Sequence, residues 1–522
     1  MKDFWARHLA ELDRRRARSR ELGGPERVAR QHAAGKLTIR ERIAELTDSF
    51  HEIGTLATFP ERDSSGQVTG KLPASYVCGL GEIGGRKVAI GGEDFTVRGG
   101  APQLYLDRMK GGQGGFVEDL AHQYRIPLIL LMEGIGGDVA EQDDQGHSYL
   151  VSSFSWARCF ELLGEVPVLV AVLGPAAGGA AGRAVLSHFS VMARHAVLFA
   201  GGPPLVKRAL GLAVSKEELG GPAVHAGGSG AIDNAAGDDR DALAQIRRVL
   251  SYLPSNVWQP PPRGDCDDPT DRPCEEILDL VPENPRRPYQ PRDIIGVVMD
   301  RGSFFEIGAG WGTSVVTGLA RLGGAPTGVL ATDPRSSGGA LTGDAADKQV
   351  RFMDLCSTFH LPMVYFVDVP GFMIGPAAER GGVVRKGMRA IKHAIEAEVP
   401  ILTVHVRRAY GMAVCATANI ERGGLRVAWP TAEWGDMPIE GGVAVAFRRE
   451  IEAAADPEAM RLAVERRMRE AASPWLTAEA FGVEEMIDPR ETRAFLAPFI
   501  EAHYESLAAG CGPARRAWRP GP

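Results

Sequence analysis

No apolar run in the 522-residue sequence approaches the ~20 residues that a membrane-crossing helix needs. The longest stretches, Ile126 to Met132 and Val166 to Leu173, have the length of buried strands. Basic charge is also in short supply. Lys and Arg total 59 against 66 Asp and Glu, a formal net charge of −7, which counts against a protein that tracks a phosphate backbone. The N-terminal stretch MKDFWARHLAELDRRRARSREL mixes acids with arginines and has no apolar signal core. It predicts a charged surface helix, not an export or transit peptide. Cysteine is sparse and dispersed, seven in all, which fits a reducing cytoplasm and no disulfide framework. Cys266 and Cys274 stand in a Pro/Asp-rich segment without histidine partners, so no metal site is expected.

Glycine is abundant instead, 64 residues, many as Gly-Gly pairs beside apolar runs. Some of these pairs recur in two halves of the chain. A helix-like VEDLAHQYR (117–125) runs into IPLILLM, and FMDLCSTF (352–359) runs into LPMVYFVDV. VPVLVAVLGPAAGG and VPILTVHVRRAYGM each place a glycine twelve residues after the leading valine, at Gly178 and Gly411. RGGA (98–101) matches SGGA (337–340). The three offsets are 235, 233 and 239 residues. Near-constant spacing predicts an internal duplication, and the order strand, Gly-Gly, helix, strand predicts α/β architecture with parallel sheets under helices. The segment WQPPPRGDCDDPTDRPCEE predicts a linker. The expected organisation is an N-terminal domain over 1–258, a linker over 259–275, a C-terminal domain over 276–510 and a tail over 511–522. Helices are also expected over 457–472 and 491–508.

A strand that ends in Gly-Gly and enters a helix offers backbone N–H groups at the helix's positive end. Such donors hold either a phosphate or an oxyanion. GxxxxGK[ST] is absent, and the one GxGxxG, at Gly79, Gly81 and Gly84, leads into the strand-like RKVAIGG, so it predicts a hairpin turn and not a nucleotide loop. No GxSxG nucleophile elbow occurs. His188, His195, His225 and His405 lack a recognisable spaced partner and are expected to be structural. Glu133 and Asp368 end equivalent strands, where a carboxylate can act as a base; hydrogen bonding at a turn is the favoured reading.

Across 30–510 the chain resembles the carboxyltransferase (β) subunits of biotin-dependent acyl-CoA carboxylases, the propionyl-CoA and methylcrotonyl-CoA group. The motifs that carry this are RQHAAGKLTIRERIAELTD (30–48), DFTVRGGA (94–101), GPAAGGAA (174–181), AGGPPLVKRALGLAVSKEELGG (200–221), FVDVPGFMIGPAAERGGVVRKG (366–387), RRAYGMA (407–413) and AWPTAE (428–433). The resemblance implies two tandem crotonase-like ββα-spiral domains. It implies carboxyl transfer from carboxybiotin to an acyl-CoA through an enolate held by backbone oxyanion holes. Gly178 and Gly179 resemble the hole for the acyl-CoA carbonyl. Met412 and Ala413 resemble the hole for the biotin ureido oxygen, with Gly411 shaping the turn. Phe372, Gly381, Gly382 and Cys415 are implied on the biotin side. A hexamer built from dimers is the implied assembly. No Met-Lys-Met biotinylation motif occurs, Lys110 lying in MKG, so a separate biotin carboxylase and biotin carrier (alpha) subunit is expected.

Three departures qualify the match. Met412 stands where the family commonly has a second glycine, which narrows the space and is expected to penalise a positive φ. Cys415 replaces an aspartate of propionyl-type members, which weakens a propionyl preference. IGGDVAEQD (135–143) replaces SGGARIQEG. Alternatives in other classes are a biotin-dependent decarboxylase alpha subunit, a non-catalytic paralogue, and a biotin-independent crotonase-type lyase or hydrolase.

Overall fold

The computed structural model describes residues 2–63, 65, 67–102, 106–112, 114–136, 150, 156–284 and 287–514. The chain divides into two compact units that meet in sequence at Val257 and Trp258. The strands of the first are β1 Ser49–Ile53, β2 Thr58–Arg62, β3 Val68–Pro73, β4 Tyr76–Ile83, β5 Arg86–Glu93, β6 Leu128–Gly134, β7 Val168–Ala177, β8 Phe189–Ala193, β9 Val197–Phe199 and β10 Asn234–Ala236. Those of the second are β11 Phe305–Ile307, β12 Val315–Leu322, β13 Ala325–Thr332, β14 Met363–Val369, β15 Ile401–Tyr410, β16 Leu425–Ala428, β17 Glu433–Gly435 and β18 Glu485–Met486.

The two sheets have the same plan. The first runs β1-β4-β5-β6-β7-β8-β10 with β9 beside β7; the second runs β11-β12-β13-β14-β15-β16-β18 with β17 beside β15. Each begins as an antiparallel meander and continues as parallel strands from β5 or β13 onward. Every residue of β6 and of β14 is buried, as expected for parallel strands covered on both faces. The meander turns are Gly84-Gly85 and Gly323-Gly324, all at positive φ, the geometry that a two-residue hairpin favours. The GxGxxG is therefore the β4–β5 hairpin. The β6–β7 ladder shifts register between Met132 and Gly134, and the β14–β15 ladder between Val367 and Val369. Glu133 and Asp368 occupy the two irregularities.

The expected terminal helices form over Lys2–Arg20, Pro457–Ala471 and Thr492–Leu507. The β2–β3 hairpin is extra to the first unit, with Phe59 packed on Ala74 and Val97. The segment read as a linker is built into the second unit. Gly264 N–H donates to the Gly324 carbonyl at 2.9 Å, and Cys274 N–H to the Arg490 carbonyl at 2.8 Å. The buried Arg493 donates to the carbonyls of Pro269 and Asp268 and pairs with Asp300 at 2.7 Å. Two carbonyls of this segment on one buried guanidinium outweigh the low apolar content that marked it as a tether.

Candidate active site

β7 and β15 end in the same device. Gly178 takes φ 59°, ψ −121°, and Gly411 takes φ 64°, ψ −166°, regions open to glycine and costly to a side chain. A Cβ on Gly178 would meet nothing within 4 Å, so backbone conformation, not space, selects glycine there. Each glycine is pinned by its own amide. Gly178 N–H donates to the Phe199 carbonyl of β9 at 3.3 Å, and Gly411 N–H to the Gly435 carbonyl of β17 at 3.0 Å. A helix then starts at once, Gly179–Val185 in the first unit and the 3₁₀ turn Met412–Ala416 in the second. The first amides to return to the glycine carbonyls are Gly182 and Val414. The amides of Gly179, Ala180 and Ala181, and of Met412 and Ala413, thus come before the first amide that donates back into the turn, the leading N–H groups that a helix start leaves without an intrahelical partner.

Gly178 is consequently the turn-former of its pair, its own amide taken by the Phe199 carbonyl, and Gly179 is the first residue of the helix. Met412 lies within the helical turn, and it is Gly411 that carries the positive φ. The expected backbone penalty on methionine does not arise. Its side chain is 56 % exposed, Cys415 is exposed, and Ala413 is buried. The helix Val383–Glu396, begun by Gly382 at φ 74° with Gly381 before it, packs against this turn. Phe372 lays its ring over Gly387 of that helix, where a Cβ would come within 2.6 Å. Gly411, Met412, Ala413, Cys415, Phe372, Gly381 and Gly382 therefore belong to one helix-and-turn assembly.

The two candidate bases are fully engaged. Glu133 is buried, paired with Lys36, held by Arg42 at 2.7 Å and by Gln31 at 2.8 Å. Buried Asp368 is bracketed by Arg407 at 2.8 Å and Arg408 at 2.7 Å. Both carboxylates are held inside the fold by cationic partners, the bonding at a turn favoured for them from the sequence. The histidines are structural too. His188 Nδ1 accepts from Val168 N–H and Nε2 meets the Leu163 carbonyl, both at 3.0 Å. His195 reaches the Leu173 carbonyl, and His225 the Leu198 carbonyl. Burial pushes buried His405 down to about 4, so its ring is neutral.

One feature had no sequence signal beyond the motifs themselves. A cavity of about 530 Å³ in the first unit is lined by Arg27, Arg30, Gln31, Lys36, Phe95 and Arg98 among others. It abuts Gly99, whose carbonyl accepts from Ile135 N–H at 3.1 Å. A Cβ on the next residue, Gly136, would lie 2.8 Å from the Ala177 carbonyl. The cavity and the Gly178 turn are thus linked by a short backbone path along the carboxyl ends of β5, β6 and β7, the edge where open α/β sheets bind ligands. Arg27 and Arg30 are neighbours on one helix, but Arg98 and Lys36 join them only in the fold. Of the divergent IGGDVAEQD stretch, 137–143 lies outside the described residues. Among the described residues no cluster could hold a metal ion and no helix is long and apolar enough to cross a membrane.

A duplicated α/β spiral with a glycine-led amide turn closing the same strand in each half is the tandem crotonase-like fold. Residues 30–516 match the carboxyl transferase domain, and the chain belongs to that family of carboxyl-transferring enzymes. It is 36 % identical over 497 residues to the carboxyltransferase subunit of propionyl-CoA carboxylase from Haloferax mediterranei, covering 93 % of this chain and 94 % of that one. It is 34 % identical to the methylmalonyl-CoA decarboxylase alpha subunit of Veillonella parvula, covering 92 % and 93 %. Transcarboxylase 12S, solved as a hexamer with methylmalonyl-coenzyme A and methylmalonic acid bound, superposes with a TM-score of 0.87 at 33 % identity, over 98 % of this chain and 97 % of that one.

Proposed function

We propose that this chain is the carboxyltransferase subunit of a biotin-dependent acyl-CoA carboxylase, moving a carboxyl group from carboxybiotin to the α-carbon, or the vinylogous γ-carbon, of an acyl-CoA. The observation that carries this reading is the repeated turn, with two consecutive amides behind a positive-φ glycine in each unit. Removing a proton beside a thioester puts negative charge on its oxygen. Gly179 and Ala180, set by Gly178, meet that charge. Met412 and Ala413, set by Gly411, serve the ureido oxygen of biotin, with Cys415, Phe372, Gly381 and Gly382 around it. Residues 1–258 then form the acyl-CoA side and 276–510 the biotin side. One such donor is worth about 3–4 kcal/mol of barrier. Biotin on its carrier supplies the CO2 and the base, in keeping with a chain whose own carboxylates are neutralised by arginine and lysine. The cationic cavity, with Arg27, Arg30, Lys36 and Arg98, has the charge to take the phosphates of coenzyme A.

The partner is a biotin carboxylase and biotin carrier (alpha) subunit. The assembly is a homo-oligomer, a hexamer as in transcarboxylase 12S, and the location is the cytoplasm. No metal has a role in this half-reaction. The test mixes purified chain, a carboxylated biotin carrier and acyl-CoAs from short to medium chain. Carboxyacyl-CoA is expected with at least one of them; no transfer to any, from an intact oligomer, overturns the proposal. The likeness to a decarboxylase alpha subunit favours the opposite direction as a second reading. Loading of an empty carrier from a carboxyacyl-CoA, faster than the forward transfer, would establish it.

A further inference from the structure

The helix that follows the first amide turn carries Arg183, a charged residue turned inward. Arg183 and Glu93 are only 9 % and 6 % exposed and pair at 2.6 Å between Nη2 and Oε1. Burial alone would lower the affinity of Arg183 for its proton, but Glu93 more than restores it, so the guanidinium stays charged. Glu93 is the last residue of β5. Its other oxygen, Oε2, accepts from the Glu133 amide at the β6 irregularity at 3.3 Å. Backbone crowds it as well, since a Cβ on Gly100 or Gly134 would lie 3.0 or 3.2 Å from its side chain. One carboxylate thereby ties together the ends of β5 and β6 and the helix after β7. On its other side Arg183 lies close to Gly112, whose amide, like that of Gly115, donates to buried Glu118 at 2.9 Å.

The second unit performs the strand half of this task without charge. Thr332, the last residue of β13, accepts from the Asp368 amide through Oγ1 at 2.6 Å, as Glu93 accepts from Glu133. Its amide turn is held by the side-chain amide of Gln349, which donates to the Ala416 carbonyl and accepts from the Tyr365 hydroxyl. An ionic clamp on one turn and a neutral one on the other, at matching places in a duplicated fold, separates the two turns chemically.

We propose that Arg183 and Glu93 are a positioning pair for the first amide turn, fixing the Gly179 and Ala180 donors against the ends of β5 and β6 and thereby setting the rate of the acyl-CoA half of the reaction alone. This rests on the function proposed above. Neither residue touches a reacting atom; the pair acts through the helix Gly179–Val185. A guanidinium fork holds direction where an ammonium holds only charge, so Arg183→Lys keeps the buried charge balance and loosens the geometry.

The test has two independent readouts on the full-length chain. Hydrogen–deuterium exchange is expected to rise in Arg183→Lys for the peptide spanning 178–186 and to stay unchanged for 411–417. In the transfer assay, kcat is expected to fall about tenfold with little change in KM for acyl-CoA, in line with misplaced donors, while release of CO2 from the carboxylated carrier without acyl-CoA keeps its rate. Should Arg183→Lys not fold, Glu93→Gln is expected to show the same split. Unchanged exchange at 178–186, loss of both activities together, or a rise in KM alone overturns the positioning role. Wild-type chain that transfers nothing overturns the function instead, and the exchange result then still decides whether the pair holds the turn.

Discussion

The two amide turns open on the same kind of positive-φ glycine, each pinned to a neighbouring strand, and differ in the side chains around it. In the first unit the residue after the turn-forming glycine is Gly179, the helix behind it is tied by an arginine–glutamate pair, and cations line a cavity along the same sheet edge. In the second, exposed Met412 follows the glycine, the turn is a short 3₁₀ piece, and its anchor is a neutral amide. What stayed constant is a positive-φ glycine whose amide is taken by a neighbouring strand; what diverged is the side-chain chemistry around it. Donors built from main chain survive substitution of their side chains, so a duplicated fold can keep one catalytic device and change its customers.

The largest effect should come from the shared part. Gly178→Val and Gly411→Val place a branched side chain at φ values that strain it and displace the donors that follow. Each is expected to lower carboxyl transfer by about 10²–10³-fold, measured as initial rates on folded protein. A retained rate in one variant only would show that the two turns are not equivalent in use.

A middle-sized effect separates the units by pH. Burial raises the Glu118 carboxyl from 4.5 to about 7, with Arg183 opposing the shift and Tyr76 and Glu93 close by. In the unfolded chain it ionises near 4.5, so the first unit loses stability as pH rises from 4.5 to 7, by about 3 kcal/mol. Burial lowers His405 from 6.5 to about 4, with Arg426 reinforcing and Glu484 opposing. The unfolded chain takes up that proton first, so the second unit loses a similar about 3 kcal/mol as pH falls from 6.5 to 4. Peptide-resolved hydrogen exchange should show opposite slopes in the two units. Glu118→Gln should flatten one and His405→Gln the other; slopes of the same sign would break the contrast.

How much of this was legible in the sequence depends on distance along the chain. The duplication, the first meander turn and the long terminal helices were written locally, in spacing, Gly-Gly pairs and apolar runs. So was the place of the amide turns, through twelve-residue steps from Val166 and Val399. The ion pairs that lock the site were not. Arg42 reaches Asp239 and Arg183 reaches Glu93 across the whole unit, and no periodicity encodes such partners. That the Gly178 and Gly411 amides are taken by β9 and β17, and that Gly411 and not Met412 carries the positive φ, depended on partners distant in the chain. A composition rich in glycine cannot specify that.

The smallest effect concerns Met412 itself. It is exposed and free of backbone strain, so Met412→Gly keeps the donor and is expected to hold the transfer rate or raise it about twofold through a wider approach. A collapse of the rate in folded protein would mean that the methionine side chain contributes directly to binding.

Arg493 carries a practical corollary for dissecting the molecule. Its guanidinium lies wholly inside the second unit and draws two of its acceptors from Asp268 and Pro269. A truncated gene that begins at residue 276 would strip those acceptors from an interior cation, whereas a start at Trp258 preserves them. The seam at which the two ancestral copies can be parted therefore sits ahead of the proline-rich stretch, not behind it.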